Sequence, residues 1–391
     1  MFMRNFTPQL KPKTYFAALN LLNPKSLIME TLSNNYCIIL AGGRGKRLWP
    51  SSRRSCPKQF VDFFGTGQTQ LQSTFERISK FIPKDNIFIC TNKDYRQLVG
   101  EQLPSVRPDR ILAEPIRRNN APAAAWAGMH IYRECADARV LIVPSDQFII
   151  NEEAFRNDVL NGLRFVGETD IILAMGIRPT RPEPGYGYIQ IGEPSLFESI
   201  HKVQSFTEKP EREFATMFME SGEFLWNTGI FLANINYLRE FFFEVMHDLP
   251  FSLASLKGME DIGNEQQYVD QYYPSFPNLS LDKAALEMSD NVFVQICHFG
   301  WADLGTWHGI YEFRKTGDDD NVVIDSEVMM ENCRGNIVKL PRGHVGVING
   351  LDGYIVAEQG DVLLICKKSD SSSLIRKYVS EVRIRYGEKY V

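Results

Sequence analysis

A chain of 391 residues with 44% hydrophobic and 23% charged side chains can bury one large core and still carry a smaller second unit. Its formal charge of -5 excludes a protein that coats nucleic acid, since such binding neutralises many phosphates with a basic surface. Any phosphate site must therefore be a local basic cluster.

Cysteines at positions 37, 56, 90, 135, 297, 333 and 366 form no C-x-x-C pair, and no histidines stand at finger-like spacing, so neither a zinc nor a disulfide framework is expected. No apolar run approaches the roughly 20 residues that span a bilayer. A reducing, cytoplasmic setting with no membrane partner is expected. Residues 1–28 contain Arg4, Lys11, Lys13 and Lys25 and no acid. Their apolar stretch around Ala17 to Leu22 is short, broken by Asn20 and without a small-residue cleavage site, so export is not expected. Residues 1–33 read as a disordered extension, with Met29 a candidate start of translation.

Residues 36–40 (YCIIL) form a continuous apolar run, the pattern of a strand buried on both faces, and lead into Gly42 and Gly43. Similar runs occupy residues 86–90, 110–114, 138–144 and 170–177. Between them, residues 71–82 place Leu71, Phe75, Ile78 and Ile82 at helical spacing, and residues 121–135 are alanine-rich with Pro122 near the first turn. This alternation predicts an α/β fold with a mostly parallel sheet, in which ligands collect beyond the carboxyl ends of the strands. The aromatic groups Phe241, Phe242, Phe243 and Tyr272, Tyr273 read as core or subunit contact. From Asn321 onward, short segments (NIVKL, HVGVI, YIVAE, VLLIC) separated by Gly, Asn and Asp predict a small all-β unit. The acidic GDDDN stretch over 317–321 marks the boundary, giving a domain over 34–317 and a second unit over 318–391. An exposed strand edge in that unit favours a homodimer.

The densest chemical signal is residues 40–59, LAGGRGKRLWPSSRRSCPKQ. A glycine-rich turn follows a buried strand and is followed by Arg44, Lys46, Arg47, Arg53, Arg54 and Lys58, with no acid among them. Glycine amides can approach a polyphosphate with no Cβ in the way, and the cations can neutralise it. The Walker pattern G-x-x-x-x-G-K-[ST] and the third glycine of the dinucleotide fingerprint are both absent.

The pattern G-G-x-G-x-R-L-W-P followed by P-K-Q-F resembles the signature of sugar nucleotidyltransferases, and Leu48-Trp49-Pro50 is similar to the mannose-1-phosphate guanylyltransferase branch. The resemblance continues through EPIRRNNAP (114–122), PSD (144–146), GYGYI (185–189), FTEKP (206–210), WNTGIF (226–231) and WADLGTW (301–307), in the order of the family. It implies a Rossmann-like, GT-A type domain and a C-terminal piece like the left-handed β-helix that ends such enzymes. It also implies transfer of GMP from GTP to mannose 1-phosphate, giving GDP-mannose and pyrophosphate with magnesium or another divalent cation such as manganese. Arg47, Lys58 and Asp146 are implied as catalytic, and Asp146 and Asp303 as metal ligands. Leu40, Gly42, Gly43, Glu114, Asn119, Asn120 and Ser145 are implied on the nucleotide, and Gly187, Glu208, Lys209 and Asn227 on the sugar phosphate. Gln147, Arg117 and Asn120 depart from the usual His, Gly and Thr. The cupin-like isomerase domain of longer relatives is not reached, so one activity is expected.

The chemistry agrees with these residue types. A sugar phosphate, whose second pKa is about 6, is already a nucleophile near neutral pH and demands no general base. The obstacle is the mutual repulsion of two anions, which calls for a divalent cation and fixed basic groups. Asp146 directly follows an apolar strand, where a carboxylate sits at the open end of a sheet, although an Asp there can also cap a helix. Asp303, ahead of Gly305, can equally fix a turn. Another sugar phosphate, another nucleotide, or a catalytically silent nucleotide-sugar sensor remain the alternatives.

Overall fold

The computed structural model describes residues 33–246, 262–317, 319–369 and 371–391. The extension expected over residues 1–33 lies outside the described residues except for Ser33. In chain order, β1 (Asn35–Leu40), α1 (Gln70–Ser79), β2 (Ile87–Asn92), α2 (Arg96–Gln102), β3 (Ile111–Glu114), α3 (Ala121–Glu134) and β4 (Arg139–Pro144) build the first half. There follow β5 (Gln147–Ile149), α4 (Glu152–Glu168), β6 (Ile172–Ile177), β7 (Gly187–Pro194), β8 (Ile200–Glu208), α5 (Arg212–Ser221), β9 (Phe224–Asn234) and α6 (Ile235–Val245). The domain closes with α7 (Ile262–Tyr272), α8 (Leu281–Met288), β10 (Val292–Cys297), β11 (Trp301–Asp303) and α9 (Trp307–Arg314).

A nine-stranded sheet in the order β3-β2-β1-β4-β9-β6-β10-β8-β7 forms the centre. Along β1 the side chains alternate in destination: Cys37 and Ile39 enter the core on one face, Tyr36 and Ile38 the core on the other. Period-two alternation with both faces covered by helices turns an unbroken apolar run into a central strand. The helix expected over 71–82 is α1, begun by a capping box in which Thr69 Oγ1 accepts from Gln72 N at 3.3 Å and Gln72 Oε1 accepts from Thr69 N at 2.9 Å. The aromatic residues Phe241, Phe242 and Tyr273 are buried, as their core reading expected.

The expectation of a mostly parallel sheet needs correction. β1, β2, β3 and β4 are mutually parallel, as are β6 and β10, but β9 runs antiparallel to β4 and β6, and β7 and β8 form an antiparallel pair. Residues 195–199 between β7 and β8 are too few for the crossover that parallel pairing demands.

In the C-terminal unit β12 (Val322–Val323), β13 (Glu327–Glu331), β14 (Ile337–Lys339), β15 (Val345–Asn349), β16 (Tyr354–Gln359) and β17 (Val362–Lys367) precede α10 (Ser371–Tyr386). Successive coils stack in parallel, with Val322 opposite Ile337 and Ile337 opposite Ile355, while β13 pairs β15. A buried asparagine ladder joins the coils: Asn336 Nδ2 donates to Asn321 Oδ1 and to Leu351 O, both at 2.8 Å. The unit is therefore not all-β, because α10 buries Ile375 and Val379, one turn apart on a single stripe.

That stripe joins a cluster that spans both sides of the acidic stretch at 317–321. It holds Leu48, Trp49, Leu304 and Trp307 together with Ile337, Ile355, Ile375 and Val379. Trp307 is fully buried at its centre and donates from Nε1 to Trp49 O at 3.1 Å. Trp307→Ala is expected to remove about 3–5 kcal/mol of stability, read as a lower urea midpoint with the slope unchanged.

Candidate active site

Beyond β1 the chain makes the loop 41–45 and a 3-10 turn, Lys46–Leu48. Gly45 has φ 60°, and a Cβ there would stand 2.4 Å from Ser52 Oγ and 2.9 Å from Lys58 Cγ, so only glycine fits. The loop is braced from the P-K-Q segment. Gln59 Nε2 donates to Ala41 O at 2.8 Å and to Gly43 O at 2.9 Å, and Ser52 Oγ accepts from Lys58 N at 3.0 Å. With three residues per turn, side chains of a 3-10 turn splay about 120° apart. Leu48 enters the core, which sends Arg47 and Lys46 to different sides of the loop.

Ser145 continues the line of β4, its amide donating to Leu40 O at 3.1 Å. Asp146 comes next and is ion-paired with Lys58 Nζ, both side chains being largely buried. β5 and β11 form a short antiparallel ladder that sets Asp303 opposite Gln147, one residue from Asp146. At Gly305 a Cβ would come within 3.0 Å of both Asp303 carboxylate oxygens and of an Arg47 guanidinium nitrogen. The glycine thus keeps open the space that Asp303 and Arg47 face. Tyr186 accepts from Asp303 N at 3.3 Å, and burial followed by the nearby Asp303 charge raises its phenol pKa. Arg47, Lys58, Asp146 and Asp303, far apart in sequence, are thereby gathered. Two hard oxygen donors from adjoining strand ends fit magnesium, which takes one or two carboxylates and completes its shell with water and phosphates. Among the described residues no cluster of three or more His, Cys, Asp or Glu side chains could hold a metal by itself.

Glu114 ends β3 beneath the loop. Its carboxylate lies 3.1 Å from where a Gly42 Cβ would stand, and it accepts from the Tyr273 hydroxyl. Burial outweighs that hydrogen bond and the neighbouring Arg117 charge, lifting the Glu114 pKa to about 7. Arg117, at the departure from the family pattern, donates from Nε to Gly42 O at 3.1 Å and lies 5.2 Å from the centre of the Tyr95 ring. Asn119 adopts φ 67°, a conformation asparagine tolerates. The Asn120 side-chain oxygen is taken by Leu281 N at 2.6 Å, tying the start of α3 to α8.

On the sugar side, Gly187 and Glu208 are register partners, and a Cβ on Gly187 would collide with the Phe206 ring at 2.7 Å. Lys209, with φ 47°, pairs with Glu208. Asn227 accepts from Gly229 N at 3.0 Å and donates to Asp282 Oδ1 at 2.7 Å. Asp282 Oδ1 and Gln147 Nε2 lie 3.7 and 4.0 Å from where a Gly229 Cβ would stand, which links this group to the segment that carries Asp146. The sequence did not mark Asp282, and it marked Tyr273 as core or subunit contact and not as a partner of the site. Asp282 opens an ordinary-looking helix, and the aromatic pair carries no signal of a carboxylate partner.

The family model described as Nucleotidyl transferase matches residues 36–319. The mannose-1-phosphate guanylyltransferase of Salmonella montevideo is 31% identical over 366 residues, covering 90% of this chain and 75% of its own length. The alginate biosynthesis protein AlgA of Pseudomonas aeruginosa is 33% identical over 338 residues, covering 85% of this chain and 69% of its own. A crystal structure titled mannose-1-phosphate geranyltransferase, from Thermus thermophilus, superposes with TM-score 0.77 at 28% identity over 90% of this chain and 99% of that one.

The raised pKa of Glu114 has a definite sign for stability. The fold holds the proton more tightly than the unfolded chain does, so the stabilisation is complete below about 4.5 and is lost as pH rises through about 7. Glu114→Gln should gain stability relative to the parent between pH 5 and pH 8, by on the order of 2 to 3 kcal/mol. Parallel urea denaturation curves at the two pH values check this, and identical pH slopes would refute it.

Proposed function

The chain belongs to the nucleotidyl transferase family, and from that premise we propose that it transfers GMP from GTP to mannose 1-phosphate, forming GDP-mannose and pyrophosphate. The observation that carries this reading is the gathering of Arg47, Lys58, Asp146 and Asp303 beside the glycine loop at the open end of β1 and β4. The choice of guanine and mannose rests on the name of the Salmonella montevideo relative, which is 31% identical and covers 90% of this chain.

In this reading an oxygen of the sugar phosphate attacks the α-phosphorus in line. A new P–O bond forms as the bond to the β-phosphate oxygen breaks, and pyrophosphate leaves with the electron pair. Arg47 and Lys58 neutralise the phosphates and fix their orientation, acting where charge builds up. Gly42 and Gly43, flanked by Leu40 and Ser145, let the backbone approach the nucleotide. Glu114, Asn119 and Asn120 shape the base and ribose side. Gly187, Glu208, Lys209 and Asn227 bind the sugar phosphate, with Asp282 setting the Asn227 amide. Asp146 and Asp303 would hold magnesium, which would supply the positive charge that offsets the anions' repulsion. The parallel pairings of the C-terminal strands support reading that unit as the β-helix piece that the resemblance implies.

Pyrophosphate release measured over five nucleoside triphosphates and several sugar 1-phosphates, with and without chelator, tests the substrate assignment. GTP with mannose 1-phosphate should be the preferred pair, and preference for any other pair removes the guanylyl reading. Asp146→Asn should lower turnover by about two orders of magnitude or more. The asparagine keeps an oxygen toward Lys58, so circular dichroism should show the fold retained. Turnover like that of the parent would take Asp146 out of the reaction centre.

A further inference from the structure

The six basic residues of the glycine loop segment do not all face the carboxylates. Arg47 and Lys58 point to Asp303 and Asp146, but Arg44, Lys46, Arg53 and Arg54 line a separate cavity of about 140 Å³ with Arg383 and Glu388 of the C-terminal unit. The 3-10 turn explains the split, because it turns Lys46 away from Arg47. The cavity wall is built jointly by two parts of the chain. Trp49 Nε1 donates to Tyr390 O at 2.7 Å and Arg54 N to Val391 O at 3.1 Å, so the last residues are fastened to the loop.

Charge in this cavity is far out of balance. Arg54 and Arg383 share one carboxylate, Glu388, at 3.5 and 4.0 Å, and Arg53 is engaged by the carbonyls of Pro50 and Gln359. Among the described residues Arg44 and Lys46 have no ion pair and no side-chain hydrogen bond. Burial, then Arg44, Arg383 and Arg117, lower the Lys46 pKa, and Glu388 opposes them only weakly. Five cationic side chains line the cavity against one lining acidic side chain, Glu388, with Asp361 acting on Arg53 from nearby and the terminal Val391 in the wall, and with the apolar Trp49 and Val379 they form a receptor for a compact anion.

We propose that this cavity binds a phosphate-bearing anion of the pyrophosphate type through Arg44, Lys46, Arg54 and Arg383, on the face of the loop turned away from Asp146. An anion seated there fixes the turn that also carries Arg47, so the C-terminal helix communicates with the opposite face of the loop. The ligand is recognised by its phosphates alone. A free phosphate compound and the phosphate tail of a nucleotide share that chemistry, and titrating the same variants with GTP beside inorganic pyrophosphate separates the two sources.

Titration calorimetry of the full chain with inorganic pyrophosphate, without divalent cation, tests the assignment. Lys58→Ala, or Arg47→Ala should the first variant not fold, removes a cation on the Asp146 face and weakens binding there, so that dependence of the remaining binding on Arg383 and Arg54 assigns it to the cavity. The single variant should still bind pyrophosphate, with affinity falling as salt rises. Adding Arg383→Ala, and independently Arg54→Gln, should weaken binding about tenfold or more. Both side chains are half exposed, and unchanged circular dichroism checks that each variant folds. Loss of all binding in Lys58→Ala and Arg47→Ala would place the anion at the carboxylate face and overturn the proposal. Equal affinity with and without Arg383 and Arg54 would do the same.

Discussion

An ammonium and a carboxylate, Lys58 and Asp146, meet at the open end of the sheet, and the surrounding arrangement depends on that contact. Both side chains are mostly withdrawn from water, and each ion alone would lose several kcal/mol of hydration there. Paired, they lock the segment after the glycine loop to the end of β4. Gln59, the next residue, then holds the loop by two of its carbonyls, and the β5–β11 ladder sets Asp303 one position from Asp146. Cations and carboxylates from four parts of the chain face one opening as a consequence.

The same demand that buried polar groups find partners governs the floor beneath the loop. A buried carboxyl group at Glu114 is tolerable because Tyr273 donates to it and because its raised pKa lets it shed charge. Arg117 supports Gly42 from the side, Gln147 donates to Thr228 O, and Asn120 anchors α8. The three positions that depart from the family pattern thus each serve a packing or hydrogen-bonding purpose here. Their side chains tie together strands and helices that the nucleotide and sugar sides share.

The C-terminal unit is continuous with this machinery. Trp307 and Trp49 sit in one apolar cluster with β14, β16 and α10, and the final residues hydrogen-bond the segment after the loop. A helix that buries only a narrow stripe exposes much of its remaining surface, and α10 directs part of that surface, Arg383, at the loop. The basic segment is thereby shared between two faces with different neighbours.

Local regularities in the chain determined much of this protein. Apolar runs marked β1, β2, β3, β4 and β6, helical spacing marked α1, alanine richness behind Pro122 marked α3, and the glycine-rich basic segment marked the loop, because these features depend on residues within a few turns of each other. Only the tertiary structure decided that β9 enters antiparallel between β4 and β6, that Asp282 meets Asn227 and Tyr273 meets Glu114, and that Lys46 and Arg47 part company. Strand order and charge partnership are set by what packs against each face and by which buried ions can find a counter-charge. Those partners lie up to hundreds of residues away, and no local pattern encodes them.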